Sequence, residues 1–471
     1  MREIPGDYGL PIIGAIKDRY DFLYFQGQDE FFKSRMKKYN STVFRTNMLP
    51  VQFNNGRNAK VIVLLDAVSF PVLFDVTKVE KRDVFVNTYM PSTSFTGGYR
   101  TCAYLDPSEP KHTQLKQLFL SLLASRHDDF IPEFQSCLSK LFDNMETNLS
   151  SSKNKEADFN ALDDNMCSDY FFQLFFNVQP KDTKLGTDAP KLMTKWLVLQ
   201  LHPLITLGLP KLFSWVDDLL LHTFLFPFFL VKSDYQKIYD VIYSSSTSIL
   251  DEAEKLGITR EEACHNLVFT ISFNAFGATK VFFPNLMKWV ALGGEKLHKD
   301  LANEIRTTVK SEGGVNYRSI EKMTLTKSVV YEALRLAPPV PNQFATAKED
   351  LVIHSHDSSF QVKKGELLLG FQPFATRDPK IFEDPEEFKG SRFVGEEGEK
   401  LLKYVYWSNG REIANPTVVN KQCPAKNQMV LLARVMLIEF FLRYDTFTAD
   451  VGTLLLGSSV KIKSLTRAET S

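Results

Sequence analysis

Cys423 stands in Asn420-Lys421-Gln422-Cys423-Pro424-Ala425-Lys426, just before an apolar helical run from Met429 to Phe441. About ninety residues upstream, Glu332 and Arg335 lie one helical turn apart in Tyr331-Glu332-Ala333-Leu334-Arg335. A lone cysteine says little. A thiolate at the mouth of a carboxy-terminal helix, downstream of an ExxR pair, can serve as axial ligand to a haem iron and push electron density toward an O–O bond. Glu332 and Arg335 share a helix face. Such pairs are worth little when exposed, but Leu334 and Leu336 predict partial burial, and Pro338-Pro339 ends the helix at once. Arg392, in Gly390-Ser391-Arg392-Phe393, is a third candidate member. A buried Glu–Arg–Arg cluster is expected to lock the loop that carries Cys423.

Two further groups could do chemistry. His112 and Lys116 lie four apart on one helix face, after the helix start Asp106-Pro107-Ser108-Glu109-Pro110-Lys111. They read either as partners for an anion, such as a haem propionate, or as an exposed basic face. Asn274 is an amide set among Leu267, Val268, Phe269, Ile271 and Phe273. A buried amide must be hydrogen-bonded, so either neighbouring backbone or a ligand is expected to satisfy it. Gly277-Ala278 thins the same helix, which would let a flat cofactor or ligand approach. An oxygen-activating haem-thiolate enzyme usually carries an acid followed by threonine at this bend. Thr279 follows Ala278, which argues against a monooxygenase.

The elements that must position these residues are mostly helical by period. Helices are predicted over Glu109 to Ala124, Phe134 to Leu149, Ser233 to Glu254, Arg260 to Phe282, Leu286 to Lys310, Leu325 to Leu336 and Asn427 to Arg443. Ser41 to Met48 and Lys60 to Leu65 read as paired strands. A second β region spans Leu351 to Phe371, with turns at His356-Asp357 and Lys364-Gly365. The fold class is therefore mainly α with small β-sheets. Leu219 to Val231 is very apolar but is broken by Pro227. It reads either as a buried hairpin or as a surface patch that dips into a bilayer, through which a lipid enters.

Composition sets the bounds. The 471 residues carry 56 basic and 56 acidic side chains, so nothing points to nucleic acid. A content of 44% apolar residues with 39 Phe is enough for a large core and an apolar cavity. The five cysteines are odd in number with no CxxC, which argues against a disulfide framework or a zinc site. Cys102, Cys137, Cys167 and Cys264 read as plain buried thiols. The start, Met1-Arg2-Glu3-Ile4-Pro5-Gly6-Asp7, shows neither signal peptide nor transit segment. No apolar run of about 18 residues is evident. The expected location is cytoplasmic or peripheral to a membrane, outside the plastid.

Together these residues resemble a cytochrome P450. More narrowly, the chain is similar to the plant fatty-acid hydroperoxide branch of allene oxide synthase, hydroperoxide lyase and divinyl ether synthase. The resemblance covers essentially the whole chain. It rests on Arg2-Glu3-Ile4-Pro5-Gly6, Thr88-Tyr89-Met90-Pro91-Ser92-Thr93, Thr96-Gly97-Gly98-Tyr99-Arg100 and Tyr104-Leu105-Asp106-Pro107-Ser108-Glu109-Pro110. Further along it rests on Lys327-Ser328-Val329-Val330-Tyr331-Glu332, on Tyr406-Trp407-Ser408-Asn409-Gly410, and on extra residues before the cysteine, Glu412 to Lys421.

The resemblance implies one cytochrome P450 domain over 1–471, with a β-rich lobe at about 1–100 and 345–400, and haem b buried between two central helices. Cys423 would be the axial thiolate, and Lys81, His112, Lys116 and Lys421 would hold the propionates. Asn274 would contact the hydroperoxide, with Lys280 nearby on the same helix. Phe85 matches a pocket aromatic of allene oxide synthases, where lyases tend to have Leu. The implied activity is a hydroperoxide dehydratase that turns polyunsaturated fatty-acid hydroperoxides, here expected to be the 9-hydroperoxides of linoleic or linolenic acid, into allene oxides. The peroxide is split, the radical closes onto the adjacent double bond, and water is lost overall. NADPH, a reductase and dioxygen are not needed. Hydroperoxide lyase and divinyl ether synthase are the nearest alternatives; a haem monooxygenase and a weakly active haem-binding protein are the others.

Two departures from the family stand out. Ala425 replaces a glycine two residues after the cysteine. A methyl where close approach or positive φ is required costs roughly 1 kcal/mol, so a slightly shifted or less stable haem is expected. Asn342-Gln343-Phe344-Ala345-Thr346 stands in place of the usual Gln-Tyr-Gly pattern beside the pocket.

Overall fold

Strands from two distant parts of the chain make one five-stranded sheet, in a computed structural model that describes residues 1–48, 59–84, 90–454 and 456–469. Their order is Val43–Asn47, Lys60–Leu64, Leu367–Phe371, Asn342–Ala347 and Val79–Glu80. Val43 pairs with Leu64 antiparallel, and Ile62 pairs with Leu368 in parallel. The β-branched run of 61–64 is buried throughout, as expected of an interior strand. The predicted second β region is divided. Leu351–His354 and Ser359–Val362 form a separate two-stranded sheet, while Leu367–Phe371 joins the larger one. Apolar side chains on both faces of the large sheet make two small cores, one with Ile4, Phe70 and Tyr406, the other with Phe22, Phe31 and Phe32.

The main core is helical. Phe130–Ser151, Phe159–Phe176, Arg260–Phe269, Gly277–Glu312, Thr324–Leu336 and Lys426–Arg443 pack around one another. Most helices lie where the periodicity places them, but the longest one differs. The sequence predicts an interruption around Pro284. The helix instead runs through Pro284 and breaks at Gly294, where φ is 68°, a left-handed value natural for glycine. Between Arg260–Phe269 and this helix, Thr270–Phe276 forms a π turn. Arg260 to Glu312 is also long and apolar enough, by composition, to cross a membrane. It is the core helix, packed against its neighbours on several sides. The predicted Ser233-to-Glu254 helix is two helices that meet at Ser246.

The helix Phe159–Phe176 and a carboxy-terminal hairpin are not foreseen by the sequence reading. The hairpin, Tyr444–Thr453 with Ser458–Arg467, lies along the long helix. Of the two readings of Leu219 to Val231, the buried hairpin fails and the exposed apolar surface holds. The segment comprises the end of the helix Ser214–His222 and a short turn, Phe228–Leu230, with Leu219, Leu220, Phe224, Phe229 and Leu230 exposed.

The Glu–Arg–Arg cluster forms, with Glu332 and Arg335 fully buried and Arg392 at its edge. Arg335 Nε and Arg392 Nε both reach the Glu332 carboxylate, at 2.7 and 2.9 Å. The lock is applied elsewhere than predicted. The two guanidinium groups donate to carbonyls of Thr376, Pro385, Glu383, Asp384 and Glu387. They therefore brace 376–392 and touch nothing in the cysteine loop. Glu332→Gln removes the single anion that balances two buried cations. It is expected to cost about 3–5 kcal/mol of stability, read as a lower thermal midpoint; a change below about 1 kcal/mol would contradict the arrangement.

Candidate functional site

The loop before the cysteine helix is held by backbone. Trp407-Ser408-Asn409-Gly410 turns back on itself, with Trp407 N–H donating to the Gly410 carbonyl at 2.8 Å. Cys423 N–H donates to the Ser408 carbonyl at 3.2 Å. Gly410 is required here, because a Cβ would lie 2.5 Å from Gln422 Cδ. Cys423, Lys421 and Cys102 are each enclosed by protein atoms yet keep an accessible face. Cys137, Cys167 and Cys264 are buried as expected; Cys102 is only half-buried.

Burial pushes the Cys423 thiol up, opposed by the Ala425 N–H, by the Lys116 charge and by the Trp407 indole. That indole N–H is buried and bonds to no oxygen among the described residues. Ala425 has φ −93°, so its backbone carries no left-handed strain. The expected penalty for a methyl in place of glycine is absent as far as backbone conformation goes.

Lys81, His112, Lys116 and Lys421 converge on this loop, drawn from 81, the helix Pro110–Ser125 and the loop itself. Lys81 Nζ donates to Asn409 Oδ1 at 2.6 Å. Lys116 Nζ donates to the carbonyls of Asn420 and Gln422 at 2.8 and 2.5 Å. Lys421 Nζ donates to the carbonyls of Cys102, at 2.8 Å, and Leu105. None of the three ammonium groups meets a carboxylate in an ion pair among the described residues. Burial pushes Lys81 down to about 7 and Lys116 and Lys421 down to about 8. Burial, with Lys421 and Lys116 nearby, brings His112 down to about 3, and its Nδ1 has no partner. The basic pair His112 and Lys116 is thus buried, and the exposed-face reading fails.

The central helix presents a second group. Asn274 is exposed, not buried, and its side-chain amide makes no hydrogen bond among the described residues. Its neighbours Ile271, Ser272 and Phe276 are buried, while Phe273 and Ala275 are half-buried, so Asn274 is the exposed position of the π turn. Gly277 also allows close packing: a Cβ there would lie 2.6 Å from Leu197 Cδ1 of Ala189–Leu201. Lys280 turns toward Phe159–Phe176, where it pairs with Asp164. Phe85 lies outside the described residues. Sequence reading missed Trp407 and Glu412; the aromatic and acid beside the cysteine motif were the available signals.

The cytochrome P450 family profile matches residues 295–411, which include the Glu332 cluster and end before Cys423. Over nearly the whole chain, allene oxide synthase 1, chloroplastic, of Solanum lycopersicum is 55% identical, covering 99% of this chain and 86% of that protein. Allene oxide synthase 3 of the same plant is 55% identical, at 99% and 95% coverage. Allene oxide synthase, chloroplastic, of Arabidopsis thaliana is 55% identical, at 99% and 89%. The chain belongs to the cytochrome P450 family, on the branch of the plant allene oxide synthases. The expectation of a non-plastid location is overturned, since several of these relatives are named as chloroplastic. The preference for 9-hydroperoxides, which leaned on that location, loses its support.

The family's cofactor is haem b, and the residues present fit it. An enclosed thiol with three groups opposing its burial suits a thiolate ligand. Buried cations without carboxylates, and the free Nδ1 of His112, suit two propionates. The Lys81 value has a consequence without haem. Between about 7 and the ordinary 10.5 the folded chain binds fewer protons than the unfolded one, so stability rises with pH over that window. Below about 7 the full penalty applies. Lys81→Met is expected to raise the thermal midpoint of the haem-free protein at about pH 6, with the gain fading toward about pH 10. A gain that is constant with pH would contradict the depressed value.

Proposed function

We propose that the protein is a hydroperoxide dehydratase that converts polyunsaturated fatty-acid hydroperoxides to allene oxides. The observation that carries the reading is the free Asn274 amide on the π turn, in a chain more than half identical to allene oxide synthases. Haem b, which the Cys423 thiolate would hold, would supply homolytic cleavage of the O–O bond. Lys81, His112 and Lys421 hold the propionates. Lys116 serves the same end less directly: its ammonium fixes two carbonyls of the cysteine loop, and its charge favours the thiolate. The Asn274 amide orients the peroxide by hydrogen bonding, a positioning role. Phe85, by its match to a pocket aromatic of allene oxide synthases, would stabilise the carbon radical or cation. Lys280, already paired with Asp164, keeps the central helix seated beside the site. The substrate brings its own oxidant, which fits Ala278 where an oxygen-activating enzyme has an acid.

Loss of the conjugated-diene absorbance of linoleate hydroperoxide without NADPH is expected. Products from separate 9- and 13-hydroperoxides are expected to be α-ketol; short-chain aldehydes instead would make the protein a lyase. Asn274→Leu is expected to lower kcat/KM roughly a hundredfold at unchanged haem content, and full activity in that variant would remove Asn274 from the site.

The exposed apolar segment serves substrate entry. Leu207, Leu212, Trp215 and Phe229 are exposed, as are Leu10, Ile12 and Ile13 near the start of the chain. Arg19–Asp218, at 2.6 Å and largely buried, and Tyr24–Asp217, at 3.2 Å, clamp the two segments side by side. Apolar side chains on such a surface enter the outer layer of a bilayer, where lipid peroxides reside. Leu212→Gln with Phe229→Gln is expected to reduce co-sedimentation with phosphatidylcholine vesicles several-fold while dispersed substrate is still turned over. Undiminished co-sedimentation would end the membrane role.

A further inference from the structure

Lys426 is placed against two electrostatic preferences. It opens the cysteine helix Lys426–Arg443, three residues after Cys423, and is 2% exposed. A helix start carries partial positive charge, so a cation there is disfavoured. Burial of that cation adds a desolvation cost. One residue offsets both. Lys426 Nζ donates to the Glu412 carbonyl at 2.5 Å and to Glu412 Oε1 at 3.2 Å.

Glu412 is fixed on two other sides. Its N–H donates to the Val405 carbonyl at 2.8 Å, within the turn whose Ser408 carbonyl accepts from Cys423 N–H. Its Oε1 also accepts from the Tyr331 hydroxyl at 2.8 Å. Tyr331 precedes Glu332 on the helix Thr324–Leu336. The Glu332 cluster holds only 376–392, so this carboxylate is the connection from that helix to the cysteine loop among the described hydrogen bonds and ion pairs. Gln422 Nε2, donating to the Arg411 carbonyl at 2.8 Å, closes the loop beside it.

We infer that Glu412, through Lys426 and Tyr331, is a positioning residue for the Cys423 thiolate: it sets where the cysteine helix begins relative to the turn that holds Cys423 N–H. This rests on Cys423 as the haem ligand. Glu412 itself touches no reacting atom. Its effect passes through the geometry of the sulfur, so it must appear in the ligand's spectroscopic signature as well as in haem retention.

The test uses purified holoenzyme. Glu412→Gln and Lys426→Met are each expected to broaden the low-spin thiolate signal in electron paramagnetic resonance. Each is also expected to speed haem transfer to apomyoglobin about tenfold, the scale of one lost charge-assisted hydrogen bond. Lys426→Arg should restore most of both. The double variant Glu412→Gln/Lys426→Met should lose no more than the worse single change, as for residues acting as a unit. Tyr331→Phe removes one bond with little risk to folding and is expected to shift the same signal to a lesser degree. Unchanged spectra and haem retention in Tyr331→Phe and in the double variant would overturn the inference. So would single effects that simply add. Cys423→Ser separates the two levels: if it keeps the thiolate signal, the ligand assignment itself is wrong, whereas loss of the signal there with normal Glu412 variants rejects only the role of Glu412.

Discussion

Buried positive charge without a matching carboxylate is the constraint around which the site is built. Lys81, Lys116 and Lys421 are enclosed, and each ammonium is met by uncharged oxygens, most of them backbone carbonyls. Carbonyl dipoles lower the cost of such charges without cancelling it. An anion placed among them would offset more of that cost, and haem b would bring two carboxylates. The same contacts explain the shape of the cysteine loop. Lys116 pulls on Asn420 and Gln422 from one helix, and Lys421 anchors the loop to the Cys102–Leu105 segment from the other side.

Around that charge the molecule divides its labour. The Glu332 cluster fixes 376–392, and the turn at 405–410 receives the cysteine backbone. The large sheet brings Lys81 to the same region through Val79–Glu80, paired with Asn342–Ala347. The sulfur is then served from several directions, by the Ala425 N–H, the Trp407 indole and the Lys116 ammonium. A thiolate with such neighbours is easier to form in a buried setting than a bare one.

Much of this was legible in the sequence, for identifiable reasons. Cys423, the Glu332 pair and the basic residues announce themselves by type and spacing. The amphipathic helix Thr324–Leu336 and the long apolar run of Lys426–Arg443 lie within a residue or two of where the sequence puts them. What stayed hidden depends on tertiary context. The carboxy-terminal hairpin alternates weakly and gains its stability from the helix beneath it. Phe159–Phe176 mixes buried polar residues such as Asp163 and Ser168 with its apolar ones, so it shows no amphipathic period. Pro284 looked like a break, but packing on several sides carries the helix through it. Glycine at 294, a small signal in the sequence, is where the chain turns. Asn274 was expected to be buried because its neighbours are apolar; the π turn is not written in any single residue type, and it reverses that expectation. The carbonyl partners of Lys116 and Lys421 could not be foreseen, since backbone acceptors leave no trace in side-chain identity.

The π turn also bears on how this helix could change over time. A π turn accommodates one residue more than the α turn it interrupts, and one residue corresponds to about 100° of rotation about the axis. Side chains before Thr270 and after Phe276 are therefore offset from the facing that an unbroken α-helix would give them. Loss of a single codon within this stretch would rewind the helix and carry Asn274 away from its present outlook, while leaving the packed ends in place. Amide presentation here is a matter of chain length as much as of residue identity.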